Sequence, residues 1–264
     1  MDSPLEDVEF LARSPHRVAV LDALADGPRT RDDLRDETGA SDPTIGRILG
    51  DFEERGWTLR DGHAYGLTQP GAFVAEHFDT LLSRMSTERR LRDVWHLLPG
   101  ELDGFTLDLV ADAVVTTTEP GNPYAPANRC ASFYPTTDHV CGFDAALTAP
   151  HNFETLAELI AGGLEAEFVL PPEVAMNLQA SYPESERVME SSDNVTTWWH
   201  DDLPMTRLIV FDDRVGVGGY DPDSGVLAVY VDSDSPALRE WALSTFDRFR
   251  REAVRAPAGQ QTTT

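Results

Sequence analysis

Cys130, His139 and Cys141 are the residues whose types most readily do redox or metal chemistry, because thiolate and imidazole are soft ligands. Their pattern, Cys-x8-His-x-Cys, offers three ligands without a fourth, so a redox or metal sensor stands beside the plainer reading of two buried, reduced thiols. A second group, Trp198, Trp199 and Tyr220 with Arg207, lies on strand-like runs and is a candidate ligand pocket in which Arg207 anchors an anion. Aromatics at strand positions also serve as ordinary core. Paired acids at Asp201-Asp202 and Asp212-Asp213 read as solvated surface. The seven histidines are scattered, and no nucleophile, base and acid converge. The expectation is therefore no catalytic residue, no metal, no cofactor and no enzyme activity.

Composition narrows the chemistry further. The 264 residues carry 46 acids against 21 basic residues, all of them arginine, for a net charge of -25. Without lysine there is no Walker A loop, no pyridoxal Schiff base and no kinase strand lysine. The nearest glycine cluster, Gly216-Val217-Gly218-Gly219, lies between strand-like runs and not before a helix, so it is not a dinucleotide loop. Heavy acidity with no lysine resembles proteins of salt-accumulating halophilic archaea, where a Debye length of about 3 Å at 1 M salt screens self-repulsion. No apolar run reaches the roughly 18 residues of a membrane span. The opening Met1 to Asp7 has neither a basic nor an apolar region of a signal peptide. A cytoplasmic protein with no membrane partner is expected.

The elements that must position these residues fall into two groups. Leu5 to Leu11 reads as a short helix. Ser14-Pro15 opens a second, with Val18, Leu21 and Leu24 on one face and Gly27-Pro28 at its end. Thr30 caps a third, closed by Gly39. Ser41-Asp42-Pro43 opens a fourth that buries Ile45, Ile48, Leu49 and Phe52 and so turns Thr44 and Arg47 outward. Trp57 to Leu59 and Ala64 to Leu67 around Asp61-Gly62 read as a hairpin. This order is that of a winged helix-turn-helix, with the fourth helix placed for the major groove of double-stranded operator DNA. Residues 1–85 carry nine arginines against seventeen acids, where a DNA-binding surface would be basic. In molar salt the counterion-release reward for basic surfaces is weak, and the stretch from Ser41 to Gly50 holds only Asp42 as an acid.

The stretches His16-Arg17-Val18, Leu21, Leu24, Gly27-Pro28, Thr38-Gly39-Ala40-Ser41, Pro43 to Leu49 and Phe52 to Trp57 resemble winged-helix regulators of the arsenical-repressor-like type. The resemblance implies that Ser41, Thr44 and Arg47 face DNA. It further implies that Arg29 and Arg31 contact phosphates and that Arg60 and His63 sit at the wing.

Pro70 to Met85 reads as a helix with Val74, Phe78, Leu81 and Met85 spaced four, three and four, the seam of a helix pair. A homodimer through this seam and packing on the domain's own core are both open. Ser86-Thr87-Glu88-Arg89 looks like a fresh start for a linker helix over 86–99. Residues 100–255 then read as a mixed α/β domain, with strands at Asp112 to Thr118, Glu165 to Leu170 and Val195 to Trp199. A meander follows over Arg207 to Phe211, Val215 to Tyr220 and Val226 to Val231. Helices are expected at Phe153 to Ala161, capped by Asn152, from Pro171-Pro172 through Leu178, at Glu184 to Ser191, and from Ser235-Pro236 onward. Residues 256–264 read as a flexible tail. Leu97-Leu98-Pro99, Leu164 to Leu170, Gly219-Tyr220-Asp221 and Glu240-Trp241-Ala242 resemble the effector half of archaeal two-domain regulators named for a methanogenesis regulator. That resemblance implies an effector domain whose ligand the family does not specify; a small-molecule effector is the expectation for it. The fold class expected is thus α+β / α/β, a winged helix-turn-helix followed by a mixed α/β effector domain. A competing reading is an enzyme or redox/metal sensor whose winged helix docks protein and not DNA.

Overall fold

The computed structural model describes residues 3–146 and 150–256, which divide into two compact units after Met85. In the first unit, α1 (Pro4–Ala12) and α2 (Pro15–Ala25) each begin with proline in the first turn, where its missing N–H costs nothing. The Ser3 hydroxyl caps α1, whereas Ser14 makes no side-chain cap to α2. A two-residue strand β1 (Arg29–Thr30) leads into α3 (Arg31–Thr38). A reciprocal box caps α3: the Thr30 hydroxyl accepts from the Asp33 N–H at 3.3 Å and the Asp33 carboxylate accepts from the Thr30 N–H at 2.9 Å. Gly39, at φ 65°, ends it in the left-handed conformation. Next come α4 (Asp42–Glu54) and the hairpin of β2 (Thr58–Asp61) and β3 (Ala64–Leu67), to which β1 adds antiparallel as a third strand. The core of this unit gathers Leu11, Leu21, Leu34, Ile45, Ile48 and Phe52, among others.

A single helix α5 (Gln69–Leu91) follows. The fresh start expected at Ser86 is absent. The Thr87 hydroxyl donates to the Ala111 carbonyl at 3.0 Å, and Glu88 bonds Arg92 one turn on, which supports helix through the expected break. Leu91 already belongs to the second unit's core.

That unit is built on an eight-stranded mixed sheet. In chain order its elements are β4 (Val114–Thr117), α6 (Ala125–Ala131), β5 (His139–Asp144), α7 (Pro150–Ala161), β6 (Glu165–Leu170), α8 (Pro172–Ser181), α9 (Pro183–Glu190) and β7 (Val195–Trp199). The chain continues through β8 (Thr206–Val210), β9 (Val215–Tyr220), β10 (Leu227–Ser233), α10 (Pro236–Glu252) and β11 (Val254–Arg255). The sheet order is β11-β7-β6-β5-β8-β9-β10-β4. β5, β6 and β7 run parallel, and every other pairing is antiparallel. One face packs Val140, Phe168 and Ile209 against α6 to α9. The other packs Phe143, Val169, Leu208 and Val217 against α10 and the segment from Leu91 to Val110. Strand alternation dictates this split, since Val140 and Cys141, or Leu208 and Ile209, must point to opposite faces.

Several expectations shift. β5 lies at the centre of the sheet, although the sequence reading places no strand there. Asn152 lies inside α7, where its amide donates to the Ala127 carbonyl at 3.2 Å, and does not cap the helix. Residues 257–264 of the expected tail lie outside the described residues. Among those residues, no helix is long and apolar enough to cross a membrane.

Candidate nucleic-acid interface and effector cavity

On α4 the buried row Ile45, Ile48, Leu49 and Phe52 leaves the opposite side to Ser41, Thr44 and Arg47. Ser41 and Arg47 are exposed and Thr44 is half-buried. The Ser41 and Thr44 hydroxyls lie 2.9 Å apart, while Arg47 makes no hydrogen bond or ion pair among the described residues. The Arg31 guanidinium stands beside α4, where a Cβ added at Gly46 would meet it at 3.8 Å. It also lies 5.7 Å from the Tyr65 ring. Arg60, on β2, lies at 5.7 Å from the same ring and donates to the Gly62 carbonyl at 2.9 Å. His63 is exposed at the hairpin turn. Tyr65, which the sequence reading passed over, thus gathers Arg31 and Arg60 beside α4. Its place opposite Arg29 and Arg60 in the strand registers is the physical reason. Arg29 is held by Glu37 at 2.9 Å and by the carbonyls of Gly27 and Pro28.

The seam on α5 is divided. Phe78 is 7% exposed and Val74 packs beside it on the first unit's core, so these two do not present a free interface. Leu81 and Met85 are exposed, joined by Leu82, which the heptad spacing did not select.

A cavity of about 570 Å³ opens in the second unit on the sheet face covered by α6 to α9. Its apolar walls come from Phe153, Leu156, Phe168, Leu178, Met189 and Ile209, beside a comparable polar lining. On its sheet side Arg207 faces Asp144, its partner in the β5–β8 register. Nε and Nη2 both donate to Asp144 Oδ2, at 2.8 and 2.6 Å. The Tyr220 hydroxyl donates to Asp144 and also approaches the Ala146 carbonyl. Burial works against the Arg207 charge, but the facing Asp144 carboxylate together with Tyr220, Cys130 and Tyr134 outweighs it and holds the guanidinium above its ordinary value. Burial pushes the Asp144 carboxyl up, with Arg207 opposing. The free anion anchor expected of Arg207 is therefore an internal ion pair. Gly216 makes room for a neighbour on this face, since a Cβ there would lie 1.7 Å from the Tyr230 hydroxyl.

Trp198 does not line the cavity. It packs toward the opposite sheet face, and its indole N–H donates to Glu167 at 2.8 Å. Trp199 pairs in register with Val254 and is also absent from the walls. Strand parity separates Trp198 from Arg207. The cysteine set does not assemble either. Cys130 is buried on the cavity wall, Cys141 lies on the other face of β5, and His139 is exposed between Glu165 and Asp212, 3.3 Å from each. Burial pushes the Cys130 thiol up; burial, with Glu167 adding, pushes Cys141 up to about 11, so neither is poised as a thiolate. Among the described residues no group of three or more metal-ligating side chains gathers. On the polar side of the cavity, Glu186, Glu190 and Asp193 come together from α9 and the turn after it. Nothing but general acidity marks them in the sequence. The half-buried Glu186 carboxyl makes no hydrogen bond among the described residues, and burial, with Glu190 beside it, pushes it up to about 7.

Residues 5–90 match the family model described as the HVO_A0261 N-terminal domain. Residues 123–252 match the middle domain of the methanogenesis regulatory protein FilR1. No curated protein matches. Among solved structures, the archaeal chromatin protein TrmBL2, described as showing a novel mode of DNA binding, is similar at 13% identity over 96% of this chain and 100% of its own, with a TM-score of 0.44. NucT from Helicobacter pylori is similar at 12% identity over 55% of this chain and 98% of its own, TM-score 0.44. MepR, a transcription regulator of the Staphylococcus aureus multidrug efflux pump MepA, is similar at 18% identity over 33% of this chain and 70% of its own, TM-score 0.30.

Proposed function

We infer that this chain, a two-domain winged-helix protein of the transcription-regulator type, binds operator DNA through α4 and regulates transcription in response to a small molecule. The observation that carries the reading is Arg47, exposed and unpaired among the described residues, on the face of α4 opposite its buried row. In this reading Arg47 reads a base edge in the major groove, while Ser41, Thr44 and Arg31 contact phosphates and the Arg60–His63 hairpin forms the wing. Two copies paired through the exposed Leu81, Leu82 and Met85 of α5 would match two half-sites. The cavity of the second unit supplies the effector site, since its volume and its mixed apolar and polar walls suit a small ligand. An effector shifts operator affinity only by its differential affinity for two states, typically about 1–3 kcal/mol.

The test is operator binding by Arg47→Ala on a site mapped by genome-wide footprinting, at one fixed salt concentration. A loss of about 1–3 kcal/mol, with relaxed preference at one base pair, is expected. A correctly folded variant with unchanged affinity would remove α4 from the reading.

A further inference from the structure

The geometry points to an apolar organic amine as the ligand of this cavity, its body against Phe153, Phe168 and Met189 and its basic nitrogen against Glu186 and Glu190. The assignment rests on the reading of the second unit as a sensor and deepens it. The walls and volume suit a molecule of bicyclic aromatic size. Charge decides its head group. The two charges on the sheet side, Asp144 and Arg207, are spent on each other. Among the described residues that line it, the charges that remain are the carboxylates of Glu186, Glu190 and Asp193 and the exposed Arg255. An anion would meet three like charges there, whereas an ammonium would find unpaired acceptors. In strong salt only direct contact survives screening, and the half-buried Glu186 carboxyl, without a hydrogen bond among the described residues, offers it.

Arg207 is 8% exposed and lines the cavity. Its Nε and Nη2 are both bonded to Asp144, so the charge on the sheet side is already compensated.

Three near-isosteric probes test the assignment on the full chain in molar potassium chloride: tryptamine, tryptophol and indole-3-propionate, titrated by calorimetry. Tryptamine should bind at least tenfold more tightly than tryptophol, and indole-3-propionate more weakly still. Glu186→Gln combined with Glu190→Gln should bring tryptamine down to the affinity of tryptophol and leave tryptophol unchanged. Ala175→Phe, which fills the cavity from α8, should abolish binding of all three. Equal affinities, a preference for the carboxylate, no binding by any probe, or tryptamine binding that survives Ala175→Phe would each overturn the assignment. Operator binding measured with each probe separates the two readings. Tryptamine seated in the cavity without any change in operator affinity removes the sensor and leaves the site. A carboxylate that binds and shifts operator affinity leaves the sensor and removes the amine.

Discussion

Glu186 ties the cavity to pH. Its folded-state carboxyl titrates near 7, against 4.5 in the unfolded chain. Between those values the folded state holds the proton more tightly, so this residue's contribution to stability is present below about 4.5 and is lost as pH rises through 7. Glu186→Gln should therefore be more stable than the parent at pH 8 and equal to it near pH 4.5, measured as the difference between their denaturant midpoints. A constant difference across that range would show that Glu186 titrates normally. The Asp144–Arg207 pair behaves differently, because removing one partner strands a buried charge. Asp144→Asn should cost about 3–5 kcal/mol, read from urea unfolding. The sequence marked Arg207 as a residue of interest, but its partner lies 63 positions away on a strand with no clear signature. The pairing of β5 with β8, invisible locally, turned an anticipated anion anchor into an internal ion pair.

At the scale of elements, α5 shows how far periodicity reads. The spacing of Val74, Phe78, Leu81 and Met85 identified the apolar face, but not where along the helix that face passes from core to solvent. Phe78→Ala should destabilise the first unit by about 3–5 kcal/mol through the cavity it leaves. Leu81→Glu with Met85→Glu should leave the melting temperature nearly unchanged and convert a dimer to monomer in sedimentation. If the parent already sediments as a monomer, the pairing proposed for α5 is wrong. The winged-helix elements were legible because each carries its own punctuation: Pro15, the Thr30–Asp33 box, Gly39, Pro43 and Gly62. β5 carries none. Its Gly142 is explained only by a neighbour, since a Cβ there would lie 2.0 Å from the Leu208 carbonyl oxygen. The separation of Cys130 from Cys141 likewise follows from the two faces of a strand that the sequence did not announce.

For the whole molecule, a net charge of -25 makes self-repulsion a term that salt can tune. Stability should climb as potassium chloride rises from about 0.1 M, where the Debye length is about 10 Å, to 1 M, where it is about 3 Å. Denaturant midpoints that stay flat over that range would contradict this. The mixed sheet adds a consequence in time. β8, β9 and β10 are sequential hairpin neighbours, whereas β5 must find β8 across the whole of α7, β6, α8, α9 and β7. Pairings that close long loops tend to form after local ones. The seam between β5 and β8, which brings Asp144 to Arg207 and gives the cavity its floor, is thus expected to close after the β8–β9–β10 meander. Amides of β9 and β10 should gain protection from pulsed deuterium before those of β5. A molecule that occupies the cavity would then find nothing to hold in the transition state for folding. It would leave the refolding rate alone and prolong the lifetime of the folded chain.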